Sequence, residues 1–285
     1  MKVGLVLEGG GMRGMFTCGV LDTLMDENID VDLIIGTSAG ALFGINYFSE
    51  QKGRAIRYNM KYAKDIRYMS RTSYILTGNL VNKNFAFYKI NNKKDPFDND
   101  SFIKNNKDFY AVATNVETGK PEYLKITNPL KQLEFLRATS ALPLASKMVK
   151  INDKKYLDGG ISDAVPLNKI LDFNLDKVIV VLTRPKDYRK TPISDKALKK
   201  INKKFKDYPN LLKTMKNRYK NYNDTLDAIE KLEKDKKIFV IRPDKNININ
   251  IVKKDKKLLV DAYNLGVKNT NEVLNDLKDY LKTEG

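Results

Sequence analysis

Short apolar runs of strand length alternate with helically spaced apolar positions over the first two thirds of the chain. Residues 2–7 and the Val- and Ile-rich residues 177–182 read as strands buried on both faces of a sheet, and residues 32–35 as a third. Residues 15–25 and the small and apolar residues running to Phe48 read as helices. Residues 109–114 and 122–126, joined through Glu117-Thr118-Gly119-Lys120, form an expected hairpin. Residues 155–157 form a short strand that ends at Asp158-Gly159-Gly160. Strands alternating with helices in this order predict an α/β fold with a mostly parallel central sheet.

Two regions depart from that alternation. Between residues 54 and 107 the pattern is irregular, polar and aromatic, with Tyr68, Phe85, Phe87, Phe97 and Phe102 scattered through it. It fits a loop-rich cap over a site or an insertion held down by its own aromatics. After Pro185 the pattern becomes one of lysine-rich amphipathic helices. Ser194 can cap a helix that carries Leu198, Ile201 and Phe205 on one face, and residues 211–222 and 226–232 continue the style. A strand over 238–241 stops at Pro243, and a helical stretch over 258–281 is expected to be interrupted at Gly266. The chain thus divides into a main domain over 1–185 and a mainly helical basic extension over 186–285 docked on it.

Composition narrows the function. At 285 residues, with 42% hydrophobic and 31% charged residues, the chain has the make-up of a soluble globular protein, and stretches such as 178–182 are far too short to cross a bilayer. The first residues do not read as a signal peptide, and the single Cys18 fits a reducing compartment, so a cytoplasmic location is expected. The formal charge of +17 is concentrated between Lys186 and Lys256, where 22 Lys/Arg face 10 Asp/Glu. That excess fits either lysines on solvated faces or attraction to an anionic membrane surface; no nucleic-acid motif accompanies it. The count that matters most is zero histidines. It excludes a Ser-His-Asp relay and a His-ligated zinc site, so hydrolytic chemistry here must use carboxylates, hydroxyls, Lys/Arg and backbone amides.

Gly36-Thr37-Ser38-Ala39-Gly40 has the spacing of a nucleophile elbow, with a serine on a tight strand-to-helix turn between glycines two before and two after. Ser38 then stands at a helix N-terminus; a plain helix cap is the alternative. Gly9-Gly10-Gly11-Met12-Arg13-Gly14 also joins a strand to a helix, and its amides can hold an oxyanion or a phosphate. The segment satisfies the dinucleotide fingerprint G-x-G-x-x-G, which keeps a nucleotide-dependent oxidoreductase as an alternative. Against it, Asp30 and Asp32 precede the second strand, where a ribose-binding acid would follow it. A serine hydroxyl needs a base. Without histidine the best-placed group is Asp158, presented at a strand end by the turn Gly159-Gly160.

These three motifs, in this order, resemble the patatin-like phospholipase family. The likeness extends through Ala138-Thr139-Ser140-Ala141-Leu142-Pro143 and Asp163-Ala164-Val165-Pro166, and Ala262-Tyr263-Asn264-Leu265-Gly266 is similar to the helical extension of a bacterial branch. Gly160 stands where many members have alanine, and Arg13 where plant members have lysine. The resemblance implies a three-layer α/β/α fold and a serine acyl-hydrolase for lipid esters, of phospholipase A or lysophospholipase type, with no metal or cofactor. It implies Ser38 as nucleophile, Asp158 as general base, and amides around Gly10, Gly11 and Ala39 as the oxyanion hole. Arg13 would brace the loop or meet a lipid phosphate. A non-catalytic lipid-binding protein at a membrane surface is the remaining alternative.

Overall fold

The computed structural model describes residues 1–249 and 255–283; Lys253 and Lys254 of the basic stretch lie outside them. Its sheet contains β1 (Val3–Leu7), β2 (Leu33–Thr37), β3 (Asp108–Asn115), β4 (Pro121–Lys125), β5 (Val149–Ile151), β6 (Lys154–Asp158), β7 (Lys177–Val181) and β8 (Phe239–Ile241). They lie in the order β5-β6-β3-β2-β1-β7-β8, with β4 also paired to β3. The pairs around β1, β2 and β7 are parallel, and those of β4, β5 and β6 are antiparallel.

Alternation along the central strands assigns their side chains to two cores. Leu5, Leu7, Ile34 and Ile179 face α1 (Gly14–Asp26) and α2 (Ala39–Phe48). Val6, Ile35, Val178 and Val180 face the opposite layer. With helices on both faces the molecule is a three-layer α/β/α sandwich, as the family resemblance implies. The aromatic stretch between 54 and 107 is helical: α3 (Arg54–Tyr62), α4 (Arg71–Thr77), a π-helical segment Lys83–Lys94 and α5 (Asn99–Asn105). Its rings pack on one another, with Tyr62 edge-on to Phe85 at 5.3 Å and Phe102 tilted against Phe97 at 6.0 Å. Two short helices follow, α6 (Leu133–Thr139) and α7 (Leu167–Leu171).

The C-terminal third enters both layers. After α8 (Asp195–Lys204), the two amphipathic segments expected over 211–232 form one helix, α9 (Pro209–Lys234), which places Tyr222, Leu226 and Ile229 in the second core. The strand β8 then pairs in parallel with β7. The expected break at Gly266 is absent: α10 (Lys256–Glu272) runs through it, and the chain turns at Val273 before α11 (Leu274–Lys282). Gly266 serves contact instead. A Cβ there would lie 2.1 Å from the Phe16 carbonyl oxygen of α1, and one on Gly19 would lie 2.1 Å from that of Tyr263. Close packing of α10 on α1 outweighs the roughly 1 kcal/mol that glycine forfeits inside a helix.

Candidate active site

The elbow begins where β2 ends. Ser38 adopts φ 53° and ψ −120°, a conformation that costs a non-glycine residue on the order of 1–3 kcal/mol and must be held by its surroundings. It is held from two sides. The Ser38 amide donates to Thr139 Oγ1 at 2.8 Å, and the Ser38 carbonyl accepts from the Leu42 amide at 3.0 Å within the first turn of α2. Gly40 lets that turn sit on β1, since a Cβ there would lie 2.5 Å from the Leu7 carbonyl oxygen. Gly36 occupies the base of the same turn, below Ala41.

Strand β3 brings Asp158 to this serine. Its residues 110–114 pair with β4 and its residues 108–112 with β2, so β6, which pairs with 113–115, must continue along the edge that β2 vacates. Thr37 stands opposite Val112 and Asp158 opposite the next residue, Ala113. Ser38 Oγ donates to Asp158 Oδ2 at 2.7 Å, while the Gly160 amide donates to Oδ1 at 2.8 Å. The turn itself is anchored by the Asp158 amide on the Ala141 carbonyl at 2.9 Å and by Thr114 Oγ1 on the Asp158 carbonyl at 2.8 Å. Asp158 is 4% exposed and Ser38 8%. Burial pushes the Asp158 carboxyl above its ordinary range, against the Ser38 and Gly160 hydrogen bonds and the nearby charges of Arg218 and Lys190.

The glycine-rich turn faces the same space. Gly9 is tied by its amide to the Ala164 carbonyl, residues 11–13 form a single 3₁₀ turn, and Gly14 opens α1. The amides of Gly10, Gly11 and Ala39 have no acceptor among the described residues. All three residues, with Gly9, Arg13, Ser38, Asp158 and Gly160, line one cavity of about 260 Å³. Its other walls are largely apolar: Leu42, Phe43, Tyr58, Met69, Val81 and Phe87. Tyr58, Met69, Val81 and Phe87 come from the aromatic stretch, which therefore covers the site. A wider groove of about 810 Å³, lined by Tyr47, Lys104 and Lys107 among others, contains neither Ser38 nor Asp158. Among the described residues no three Cys, Asp or Glu side chains converge as a metal site.

Other residues at the site carried no role in the sequence. Thr139 lies in a stretch marked only by resemblance, and nothing in its type distinguishes an acceptor for the elbow amide from a core threonine. Arg218, whose Nε donates to the Gly160 carbonyl, is one cation among many on a lysine-rich helix. Asp163 lies two residues after the 3₁₀ turn that follows Asp158. Its carbonyl accepts from Thr37 Oγ1 at 3.0 Å, and its carboxylate accepts from the Tyr123 hydroxyl at 2.8 Å.

Comparison with known proteins bears on the family of the chain. The family model for patatin-like phospholipase matches residues 5–171, and a second model, for a domain of unknown function, matches residues 208–282. The chain is 30% identical over 272 residues to the uncharacterized protein YjjU of Escherichia coli, covering 93% of this chain and 75% of that protein. It is 27% identical over 300 residues to lysophospholipase NTE1 of Candida albicans; this match covers 97% of the chain and 20% of that protein, so the chain spans a fifth of its length. The crystal structure of VipD from Legionella pneumophila superposes with a TM-score of 0.46 at 13% identity, covering 96% of this chain and 67% of that one. The first model covers more than half of the chain and all three motifs, and the protein belongs to the patatin-like phospholipase family.

Proposed function

We propose that the protein is a serine acyl-hydrolase that cleaves lipid esters, with Ser38 as nucleophile and Asp158 as general base. The observation that carries this reading is the 2.7 Å hydrogen bond from Ser38 Oγ to a buried carboxylate, in a largely apolar cavity that also presents three amides without acceptors among the described residues. Asp158 takes the hydroxyl proton as Ser38 attacks the ester carbonyl, and the amides of Gly10, Gly11 and Ala39 receive the oxyanion. The alcohol or lysophospholipid leaves with a proton, and water activated by the same carboxylate releases the fatty acid. Burial suits Asp158 to this role, because a desolvated carboxylate is a stronger base than a hydrated one.

The oxidoreductase alternative has little to rest on. Asp32 Oδ2 accepts from the Val3 amide at 2.7 Å and Asp30 pairs with Lys107, so both acids before β2 have structural partners. Contact with an anionic membrane belongs to the proposal. Beyond the basic C-terminal region, it is favoured by the excursion closed by the Met69–Val81 bridge, whose base lines the cavity and whose helix α4 leaves Ile75 80% and Leu76 78% exposed. Among the described residues no helix is long and apolar enough to cross a membrane. The test is labelling by a fluorophosphonate together with fatty-acid release from p-nitrophenyl esters and lysophospholipid. Both are expected to disappear in Ser38→Ala, and labelling that survives in a folded variant overturns the assignment.

A further inference from the structure

Four basic side chains lie at or behind the candidate dyad, and none of them is in a salt bridge among the described residues. Arg13, at the end of the glycine-rich turn, and Arg218, on α9, line the cavity that holds Ser38 and Asp158. Arg218 is fixed there by its Nε on the Gly160 carbonyl, and a Cβ on Gly160 would lie 3.5 Å from Arg218 Nη2. Behind them, the Arg184 guanidinium lies 4.2 Å above the Tyr188 ring and Lys190 Nζ 3.8 Å above the Tyr222 ring, the two rings meeting edge to face at 6.2 Å. The Nε atoms of Arg13 and Arg184 are buried and have no hydrogen-bond partner among the described residues.

One acid stands among them. Glu8 is 1% exposed, and its oxygens are already used: Oε1 accepts from the Tyr222 hydroxyl at 2.6 Å, and Oε2 from the amide and hydroxyl of Thr183. Ion pairs occur over much of this surface, yet none includes Arg13, Arg184, Lys190 or Arg218 among the described residues. Burial, and after it the charges of Arg218, Arg13 and Arg184 against that of Glu8, pushes Lys190 down to about 7. Arg13 is likewise lowered, by burial and then by Arg184. Three guanidiniums and Lys190, all half-buried, stand against one carboxylate whose oxygens are already taken, which leaves a positive surplus beside the cavity.

We propose that Arg13, Arg184, Lys190 and Arg218 form a phosphate-binding site next to Ser38, which receives the anionic headgroup of a phospholipid while its acyl chain occupies the apolar wall of the cavity. This rests on the acyl-hydrolase reading for its orientation, since it makes the phosphate part of the alcohol side of the ester. A carboxylate would use one guanidinium; a phosphate has the charge and the several acceptor oxygens to use more than one. The surplus charge also repels a headgroup cation, so net-negative lipids are favoured over zwitterionic ones.

The experiment uses the full chain at constant ionic strength. In the Ser38→Ala protein, inorganic phosphate is expected to raise Tm by at least about 2 °C over chloride. Adding Arg184→Gln and Lys190→Gln should abolish that rise while increasing Tm without ligand, because the repulsion is relieved. With Ser38 restored, kcat/KM for lysophosphatidic acid should exceed that for lysophosphatidylcholine by about tenfold or more, and the double substitution should collapse the ratio. Phosphate binding with equal turnover of the two lipids would make this a free-phosphate site and overturn the headgroup assignment. No Tm response to phosphate overturns the site itself. Phosphate binding lost in the double variant, with no turnover of any ester, supports the site while sinking the hydrolase reading.

Discussion

Replacing Asp158 with asparagine separates the two consequences of burying a carboxylate. Asparagine keeps the shape and can still accept from the Gly160 amide, but it cannot take the proton of Ser38. A general base contributes roughly 10²–10⁴ in rate, about 3–5 kcal/mol of barrier, and turnover should fall by that factor. Stability should move the other way. Burial raises the Asp158 carboxyl above its ordinary value of 3.8, so between that value and its folded value the native protein binds more protons than the unfolded chain. The wild type therefore loses stability as pH rises through this window, and Asp158→Asn does not. The Tm of Asp158→Asn relative to wild type should climb from acid toward neutral pH and then level off. The assay is p-nitrophenyl ester hydrolysis beside thermal melts across about pH 4–8. Turnover within about threefold of wild type removes Asp158 as base, and a Tm difference that falls with pH refutes the account of its burial.

Ser38→Gly should abolish turnover yet stabilise the fold by up to about 2 kcal/mol in urea titrations, as relief of the φ 53° conformation exceeds one lost hydrogen bond; a loss of stability would mean the elbow is unstrained. Asp163, pushed up to about 6 by burial against its Tyr123 and Val165 hydrogen bonds, makes the fold lose on the order of 2–3 kcal/mol as pH rises from about 4 through 6. Asp163→Asn should remove that slope, and denaturant melts that keep it would assign the slope elsewhere. Gly266→Val drives a side chain into the Phe16 carbonyl of α1 and should cost about 3 kcal/mol or more, read as a lower Tm or no folded protein; near-wild-type stability would show that the α1–α10 contact can open. Glutamates at Ile75 and Leu76 should lower hydrolysis of vesicle lipids by about tenfold or more and leave short soluble esters unaffected, whereas equal losses on both would argue against a membrane-facing α4.

What was legible in the sequence is what short-range pattern encodes. The apolar runs at 2–7 and 177–182 have the length and β-branched content of central strands, and Ser38 is bracketed by glycines at the spacing a close helix-on-strand turn requires. Pairing order, the third strand edge and cation clustering depend on residues far apart in the chain. Asp158 meets Ser38 because β6 continues the edge of β3 that β2 leaves, a register that no local pattern carries. Gly266 reads as a helix breaker until α1 is placed against it. Residues 54–107 look irregular because their apolar groups are aromatic and serve two surfaces, each other and the cavity. Lys190 and Arg218 cannot be told from solvated neighbours by composition.

The lack of histidine places a demand on the rest of the molecule. An imidazole can act as a base while in contact with water, because its ordinary pKa lies near neutrality; a carboxylate becomes a comparable base only where water is excluded. Asp158 ends an antiparallel strand at the sheet rim, so the exclusion must come from what packs over its turn. Part of that cover is α9. Arg218 donates to the Gly160 carbonyl, Thr214 Oγ1 donates to the Gly119 carbonyl in the β3–β4 turn at 2.8 Å, and Tyr222 donates to Glu8 beside the glycine-rich turn. One helix thus ties together the Asp158 turn, the β3–β4 turn and the end of β1, and it lies outside the stretch matched by the phospholipase model. The same helix covers the turn after Asp158 and carries Arg218, one of the four cations of the proposed phosphate site, whose charge holds the Asp158 carboxyl below where burial alone would put it. Arg218→Gln should accordingly do more than weaken one hydrogen bond. With its charge gone the Asp158 carboxyl rises further, and the acid limb of the pH–rate profile should shift to higher pH; an unshifted limb would leave Arg218 with packing alone.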